Sequence, residues 1–128
     1  MLQKIENYHH AIAQLEEAVT VYGNDQSDAL YRDGLIQRFE FTVELAWKSL
    51  KEYLEDQGTI LSVASPKAVL KDAYAAGVIM DEKVWDEIIR SRNITSHVYD
   101  EKTAIEVAER ICSTYLPVLE KLDNFYRE

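Results

Sequence analysis

The chain has 128 residues and a formal net charge of −9, with one cysteine, four glycines and two prolines. This length and the absence of a linker predict a single domain over residues 1–128, and the lone Cys112 excludes an internal disulfide. No signal-like segment or apolar run of ~20 residues occurs, so we expect a cytoplasmic protein without a membrane span. Such an acidic surface disfavours nonspecific attachment to nucleic acid, because phosphates are bound by Lys and Arg.

The N-terminal half carries two apolar patterns with helical spacing. The first runs from Leu2 to Tyr22, and residues 23–27 interrupt it with types that favour helix ends and starts. A longer helix is predicted from about Asp28 to about Asp56, with Gly58 closing it. Its apolar line comprises Tyr31, Leu35, Phe39, Val43, Ala46, Leu50 and Leu54.

The C-terminal half begins with a predicted loop over residues 58–65. Ser65 and Pro66 favour the start of a short helix that reaches about Ala76 and stops at Gly77. We expect Asp81 to cap a fourth helix and Asp100 to cap the last one. The apolar line of the last helix is Ala104, Ala108, Ile111, Tyr115, Val118, Leu122 and Phe125.

Pro117 falls inside that last pattern and predicts a kink or a weakened helix near Ser113, because proline cannot donate a backbone hydrogen bond. Four substantial helices, one short helix and short connections predict an all-α fold. The expected architecture is an up-and-down four-helix bundle with one additional short helix.

The fourth helix carries apolar Trp85, Ile88 and Ile89, and the next residue on that face is Arg92. Arginine suits bidentate binding of phosphate, and the nearby His97 can move a proton close to neutral pH. Asn93 can orient a substrate oxygen, and Tyr99 offers a ring with a hydroxyl group. These residue types fit phosphodiester or nucleotide chemistry that needs no metal and no cofactor.

Helical geometry leaves the relation of these residues open. On an unbroken helix Arg92 and Tyr99 lie within about 20° of each other, and Asn93 and His97 form a pair on a neighbouring face. Arg92 and His97 diverge by about 140°. We therefore expect either a site completed across a homodimer or a helix that ends near His97.

A structural interpretation competes with the chemical one. Arg92 could form a buried ion pair with Glu44 or Glu40 of the long helix, and His97 could simply cap a helix end. Glu40, Glu44 and Lys48 follow one another at four-residue spacing, which indicates a charge ladder or a partner for Arg92 rather than acid–base catalysis.

The pattern Arg92-x4-His97-x-Tyr99 resembles the R-x4-H-x-Y motif of the HEPN superfamily (higher eukaryotes and prokaryotes nucleotide-binding domain). More narrowly, the chain is similar to the nucleotidyltransferase substrate-binding proteins. The similarity lies in three ordered blocks that span nearly the whole chain: residues 39–48 (FEFTVELAWK), 65–67 (SPK) and 91–101 (SRNITSHVYDE).

This resemblance implies a helical-bundle homodimer that acts with a minimal nucleotidyltransferase. In related toxin–antitoxin pairs the HEPN protein is a toxin similar to a metal-independent ribonuclease. The nucleotidyltransferase silences it by adding AMP to the motif tyrosine. By resemblance, Arg92 and His97 would be the catalytic pair, Asn93 would position the substrate, and Tyr99 would accept AMP.

Two functions remain open from the sequence. One is a ribonuclease toxin that the partner restrains, which the complete motif favours. The other is a non-catalytic subunit that presents a nucleotide or another substrate to the transferase, which the acidic charge and the family's name favour. A purely structural dimerising bundle is a more distant third.

Overall fold

In a computed structural model, the protein is described over residues 2–61 and 63–128. All regular elements in these ranges are helices, which confirms the all-α prediction. Ser62, inside the predicted loop 58–65, lies outside the described residues. The helices are α1 (Gln3–Asn24), α2 (Ala29–Asp56), α3 (Pro66–Ala75), α4 (Glu82–Thr95), α5 (Glu101–Arg110), a π-helix (Ile111–Tyr115) and α6 (Leu116–Tyr126).

Most helix ends follow the local chemistry that the sequence predicts. The Asp28 carboxylate accepts hydrogen bonds from the backbone N–H groups of Leu30 and Tyr31, and Ser65 accepts one from Ala68. Gly58 and Gly77 follow helix ends with φ of 92° and 74°, a left-handed conformation that disfavours residues with a Cβ atom.

Asp81 is an exception to the predicted caps. It occupies the N-cap position of α4 but makes no capping hydrogen bond with its side chain. Its carboxylate instead accepts a hydrogen bond from Lys121 of α6, at 3.1 Å. The prediction that the Asp81 side chain caps α4 is therefore wrong, because the carboxylate pairs with Lys121 of another helix instead.

The helix α2 is the central element of the fold. It packs along α1 and also contacts α3, α4 and α5, while α6 returns to α1. The predicted apolar line of α2 is fully buried from Leu35 to Leu54, but Tyr31, in the first turn, is 42% exposed. Burial of that line against the neighbouring helices is the main source of stability of such a fold.

The predicted irregularity near Ser113 is a π-helix that joins α5 to α6. Pro117 follows directly in the first turn of α6, and because proline has no N–H it cannot donate the backbone hydrogen bond that a continuous helix would have at this position. Leu119 is fully buried, whereas Val118, assigned to the core by spacing, is half-buried. Among the described residues, no helix has both the length and the apolar content that crossing a membrane requires.

Candidate functional site

The motif begins inside α4 and continues beyond its end. α4 ends at Thr95, with Ser96 as its C-cap, so His97 and Tyr99 follow in non-helical chain. The Asp100 carboxylate then caps α5 by accepting a hydrogen bond from the Thr103 N–H at 2.8 Å, as predicted. The helix thus ends two residues before His97, which confirms one of the two geometries expected from the divergence of Arg92 and His97.

That helix end also corrects two expectations. Because α4 stops at Thr95, Asn93 and His97 do not form a pair on one helix face. For the same reason Arg92 and Tyr99 are not aligned along a single helix. The sequence spacing assumed a continuous helix through the motif, and the turn at Ser96 breaks that periodicity.

Arg92 is held by the long helix α2. Its Nη2 donates a hydrogen bond to Oε2 of Glu44 at 3.1 Å, and the two side chains are 35% and 34% exposed. The structural interpretation that pairs Arg92 with Glu44 is therefore confirmed, although the pair is about one-third exposed rather than buried. A guanidinium has five N–H donors, and within residues 2–61 and 63–128 this is the one hydrogen bond that the Arg92 side chain donates.

Glu44 is itself fixed from three sides. In addition to Arg92, it accepts a hydrogen bond from Nε1 of Trp47 at 3.2 Å and pairs with Nζ of Lys48 at 3.2 Å. Burial opposes the charge of Glu44, but these hydrogen bonds and the charges of Lys48 and Arg92 outweigh it and lower the pKa of Glu44. Glu44 is thus an anion that orients Arg92, as its spacing from Lys48 indicated.

A second carboxylate of α2 holds the last turn of α4. Oγ1 of Thr95 donates a hydrogen bond to Oε2 of Glu40 at 2.9 Å, and Thr95 is buried. Glu40 therefore binds Thr95 and Glu44 binds Arg92. Together the two carboxylates fix the end of α4 against α2 at the point where the motif leaves the helix.

Asn93 and His97 are both exposed. Asn93 lines a cleft between α3 and α4, on a different side of α4 from Arg92. His97 donates its backbone N–H to the Ile94 carbonyl at 3.4 Å, but its ring makes no hydrogen bond within the described chain. The alternative that the His97 ring caps the helix is therefore wrong, and the imidazole is open to solvent.

Tyr99 is half-buried against the core beside α2. Burial, followed by the negative charges of Asp33 and Glu40, raises the pKa of Tyr99, and the positive charge of Arg32 partly offsets this. The phenol is therefore protonated at neutral pH. Arg32 is 7% exposed, and its Nε has no hydrogen-bond partner among the described residues.

No pattern in the sequence indicates that Arg32 is a buried cation beside Tyr99. Sequence reasoning also missed a buried network beside the motif. Oγ of Ser91 lies 2.7 Å from the Tyr115 hydroxyl, which donates to Glu87 at 2.7 Å. Spacing placed Tyr115 in the core, but no local signal shows which residue its hydroxyl contacts. That information depends on how α4 packs against the π-helix.

The fold and this geometry define an all-helical protein with a cation, an imidazole and a phenol gathered around one helix end. Such a set can stabilise charge on a phosphate and transfer a proton. The family model of nucleotidyltransferase substrate-binding-like proteins matches residues 3–128. The chain belongs to this family and is a HepT-like member of the HEPN superfamily.

Two further comparisons identify similar proteins. The chain is 36% identical over 81 residues to a probable ribonuclease HepT of Haemophilus influenzae, an alignment that covers 61% of this chain and 56% of that protein. A crystal structure of a protein from Thermus thermophilus superposes with a TM-score of 0.81 at 31% identity. That superposition covers 94% of this chain and 99% of the other.

Proposed function

We propose that the protein is the toxin of a two-component system and cleaves RNA without a metal. One observation carries this proposal: Glu44 orients Arg92 at the end of α4, while the His97 ring is exposed just beyond that end. The similarity to the Haemophilus influenzae protein, a probable ribonuclease, supports the same chemistry. RNA cleavage is the candidate activity that gives both Arg92 and His97 a chemical role.

In the proposed reaction the 2′-hydroxyl of RNA attacks the adjacent phosphorus. His97 assists the transfer of the hydroxyl proton, and Arg92 stabilises the charge that builds on the phosphoryl oxygens. The bond from phosphorus to the 5′-oxygen breaks, and that oxygen takes up a proton. Asn93, next to Arg92 on α4, positions the substrate.

We further propose that the working unit is a homodimer. Phe41 on α2 is 65% exposed and lies three residues before Glu44, and Val98, next to His97, is fully exposed. Apolar side chains on the surface around a polar motif are typical of an interface between proteins. A second copy over this surface would bring further motif residues to the same RNA and shield the apolar groups from water.

The proposed partner is a minimal nucleotidyltransferase that silences the toxin by transferring AMP from ATP to Tyr99. The Tyr99 oxygen forms a bond to the α-phosphorus, pyrophosphate leaves, and a base of the partner takes the phenolic proton. This base is needed because the pKa of Tyr99 is raised. The added phosphate would place a negative charge near the motif and compete with RNA for Arg92.

The test is to express His97→Ala and, as a matched control, His10→Ala, since His10 is an exposed histidine of α1. We expect wild type and His10→Ala to arrest growth and to cleave RNA in vitro, and His97→Ala to do neither. Co-expression with the transferase should relieve the arrest and add the mass of AMP to the wild type but not to Tyr99→Phe. Full RNA cleavage by His97→Ala would contradict the proposal.

A second candidate function is a non-catalytic subunit that presents a nucleotide to the transferase. The net charge of −9 favours it, since an acidic surface weakens attraction for RNA. This function predicts no RNA cleavage by any variant. It also predicts nucleotide binding by the complex that is lost in Arg92→Ala.

A further inference from the structure

A cleft beside the motif separates α3 from α4. Its volume is about 430 Å³, and it opens to solvent along one side. Its lining includes Lys67, Lys71 and Tyr74 from α3, and Asp86, Arg90 and Asn93 from α4. A concave site of this size lies within the range of natural ligand sites, of about 300–1,000 Å³.

The charges around this cleft differ from those of the chain as a whole. Lys67 and Lys71, four residues apart on α3, face the cleft together with Arg90 of α4, and all three are exposed. Within the described part of the chain none of the three forms an ion pair, whereas Arg38, Arg92 and Arg110 each pair with a glutamate. Three cations face the two carboxylates of the lining, Glu82 and Asp86, so the cleft carries a small net positive charge in an acidic protein.

The apolar floor of the cleft and the Tyr74 ring at its edge can pack against a planar ring such as a base. Leu70 and Ile89 form a buried apolar floor, with exposures of 2% and 7%. The hydroxyl of Tyr74 donates a hydrogen bond to the Glu82 carbonyl at 3.1 Å, which fixes the Tyr74 ring at the edge of the cleft. Bases of single-stranded nucleic acids commonly stack on tyrosine rings in protein complexes.

The cleft leads directly to the motif. Successive residues of a helix point about 100° apart, so Asn93 lines the cleft while Arg92 contacts Glu44 of α2. The last turn of α4 therefore has the cleft on one side and the oriented arginine on the other. A strand lying in the cleft would reach the end of α4 where the motif leaves the helix.

From these observations we infer that the α3–α4 cleft binds single-stranded RNA beside the bond to be cleaved. Lys67, Lys71 and Arg90 contact its phosphates, and a base packs on Tyr74. The inference rests on the proposed function in naming RNA as the ligand. It also accounts for how an acidic protein binds a polyanion, because the attraction is local rather than spread over the surface.

The experiment measures binding of a short, labelled, single-stranded RNA by fluorescence anisotropy at several salt concentrations. All proteins carry His97→Ala so that the RNA stays intact. The test variant adds Lys67→Gln and Lys71→Gln, and the control adds Lys4→Gln and Lys102→Gln, which remove the same charge from two exposed lysines outside the cleft lining that likewise form no ion pair within the described residues. Circular dichroism and thermal melting verify that both remain folded.

We expect the cleft variant to bind RNA about tenfold more weakly and the control to bind as the parent does. The plot of log affinity against log salt should also become shallower by about 1.4 for the cleft variant, because each lost phosphate contact on a single strand contributes about 0.7. Arg90→Gln should weaken binding in the same direction. Equal affinities and slopes for cleft and control variants would overturn the inference.

Two further arms separate the possible outcomes. ATP and AMP are titrated in place of RNA, and lysine-dependent binding of these nucleotides without binding of RNA would also overturn the inference. Cleavage is measured with His97 intact. If the wild type cleaves RNA but the lysines do not affect binding, the inference fails and the proposed function stands. If RNA binds through the lysines but is never cleaved, the proposed function fails and the cleft assignment stands.

Discussion

Two arginine–glutamate pairs that involve α4 look alike in composition and exposure but use their donors differently. Arg92 pairs with Glu44 through Nη2, at 3.1 Å. Arg110 of α5 pairs with Glu87 through both Nε and Nη2, at 2.5 and 2.8 Å, and lies over the Tyr115 ring. The Arg92 pair leaves guanidinium N–H donors available to a ligand. The Arg110 pair is bidentate and holds α4 against α5.

The surroundings of the two pairs sharpen this contrast. Glu87 also accepts the hydrogen bond of Tyr115, whose hydroxyl in turn contacts the buried Ser91. Glu44 is surrounded by Trp47 and Lys48 at the surface of α2, beside the end of the motif. Comparable pairs thus serve different purposes: the Arg110 pair belongs to the packing of the fold, and the Arg92 pair orients a residue toward solvent.

The largest expected effect separates the two arginines. Arg92→Ala should reduce RNA cleavage by about 10²–10³-fold, the usual loss when one charge-stabilising donor is removed, with little change in melting temperature. Arg110→Ala should lower the melting temperature and keep the cleavage rate. Arg38→Ala, which breaks a surface pair of the same 3.1 Å length with Glu17, controls for the loss of an exposed ion pair. If Arg92→Ala and Arg38→Ala cleaved RNA at equal rates, Arg92 would have no catalytic role that distinguishes it from a surface arginine.

The next effect concerns how Arg92 is oriented. Glu44→Ala should lower kcat for RNA cleavage by about 10- to 100-fold, because a small misplacement of a reacting group is costly, and KM should change little. Glu44→Gln keeps an acceptor for Arg92 and should restore most of kcat. If Glu44→Ala cleaves faster than wild type, Glu44 competes with the phosphate instead of positioning Arg92.

A third prediction tests the closed network around Tyr115. Tyr115→Phe leaves the buried Ser91 hydroxyl without its partner, so the free energy of unfolding should fall by about 1–3 kcal/mol in urea denaturation. Tyr99→Phe is the matched control, since the Tyr99 hydroxyl makes no hydrogen bond within the described residues. If Tyr99→Phe lost as much stability as Tyr115→Phe, the loss in Tyr115→Phe could not be assigned to its hydrogen bonds.

The smallest effect is a dependence on pH. The pKa of Glu44 is lowered as described above, and hydrogen bonds from Arg110 and Tyr115 lower the pKa of Glu87. Because both folded-state values lie below the ordinary value of 4.5, each glutamate stabilises the fold fully above that pH. The contribution is lost as the pH falls through the folded-state pKa.

Thermal melting between about pH 3 and pH 7 checks this prediction. The wild type should exceed Glu44→Gln and Glu87→Gln in melting temperature near neutral pH, and the three curves should converge in acid. Since both glutamates are about one-third exposed, added salt should reduce the difference. A difference that grows as the pH falls would have the wrong sign.

Local chemistry explains how much of the fold the sequence predicts. Asp28, Ser65 and Asp100 act as caps because a cap needs only a side-chain oxygen next to the first turn of a helix. The spacing of apolar residues likewise predicts which residues form the core, because each apolar pattern repeats within a single helix. Asp81 breaks the pattern because its partner Lys121 lies on another helix.

The candidate site was likewise predictable where local spacing was sufficient, and not where the packing of helices decides the geometry. Spacing on α2 left Glu40 and Glu44 as possible partners of Arg92, and the structure pairs Arg92 with Glu44. The end of α4 at Thr95 and the cleft beside Lys67 depend on packing between helices, which no local pattern contains. The resemblance to a family supplied the motif residues, but it did not indicate which side of α4 each residue faces.

The π-helix at residues 111–115 has a consequence for how the chain tolerates changes in length. In this segment the Leu116 N–H bonds to the Ile111 carbonyl, five residues back, where an α-helical bond would reach back four. Deleting one residue between them would turn the same pair of groups into an ordinary α-helical bond, so α6 would keep its angular phase relative to α5. Leu119 and Leu122 would stay in the core, so this segment should tolerate the loss of one residue better than a regular turn of helix would.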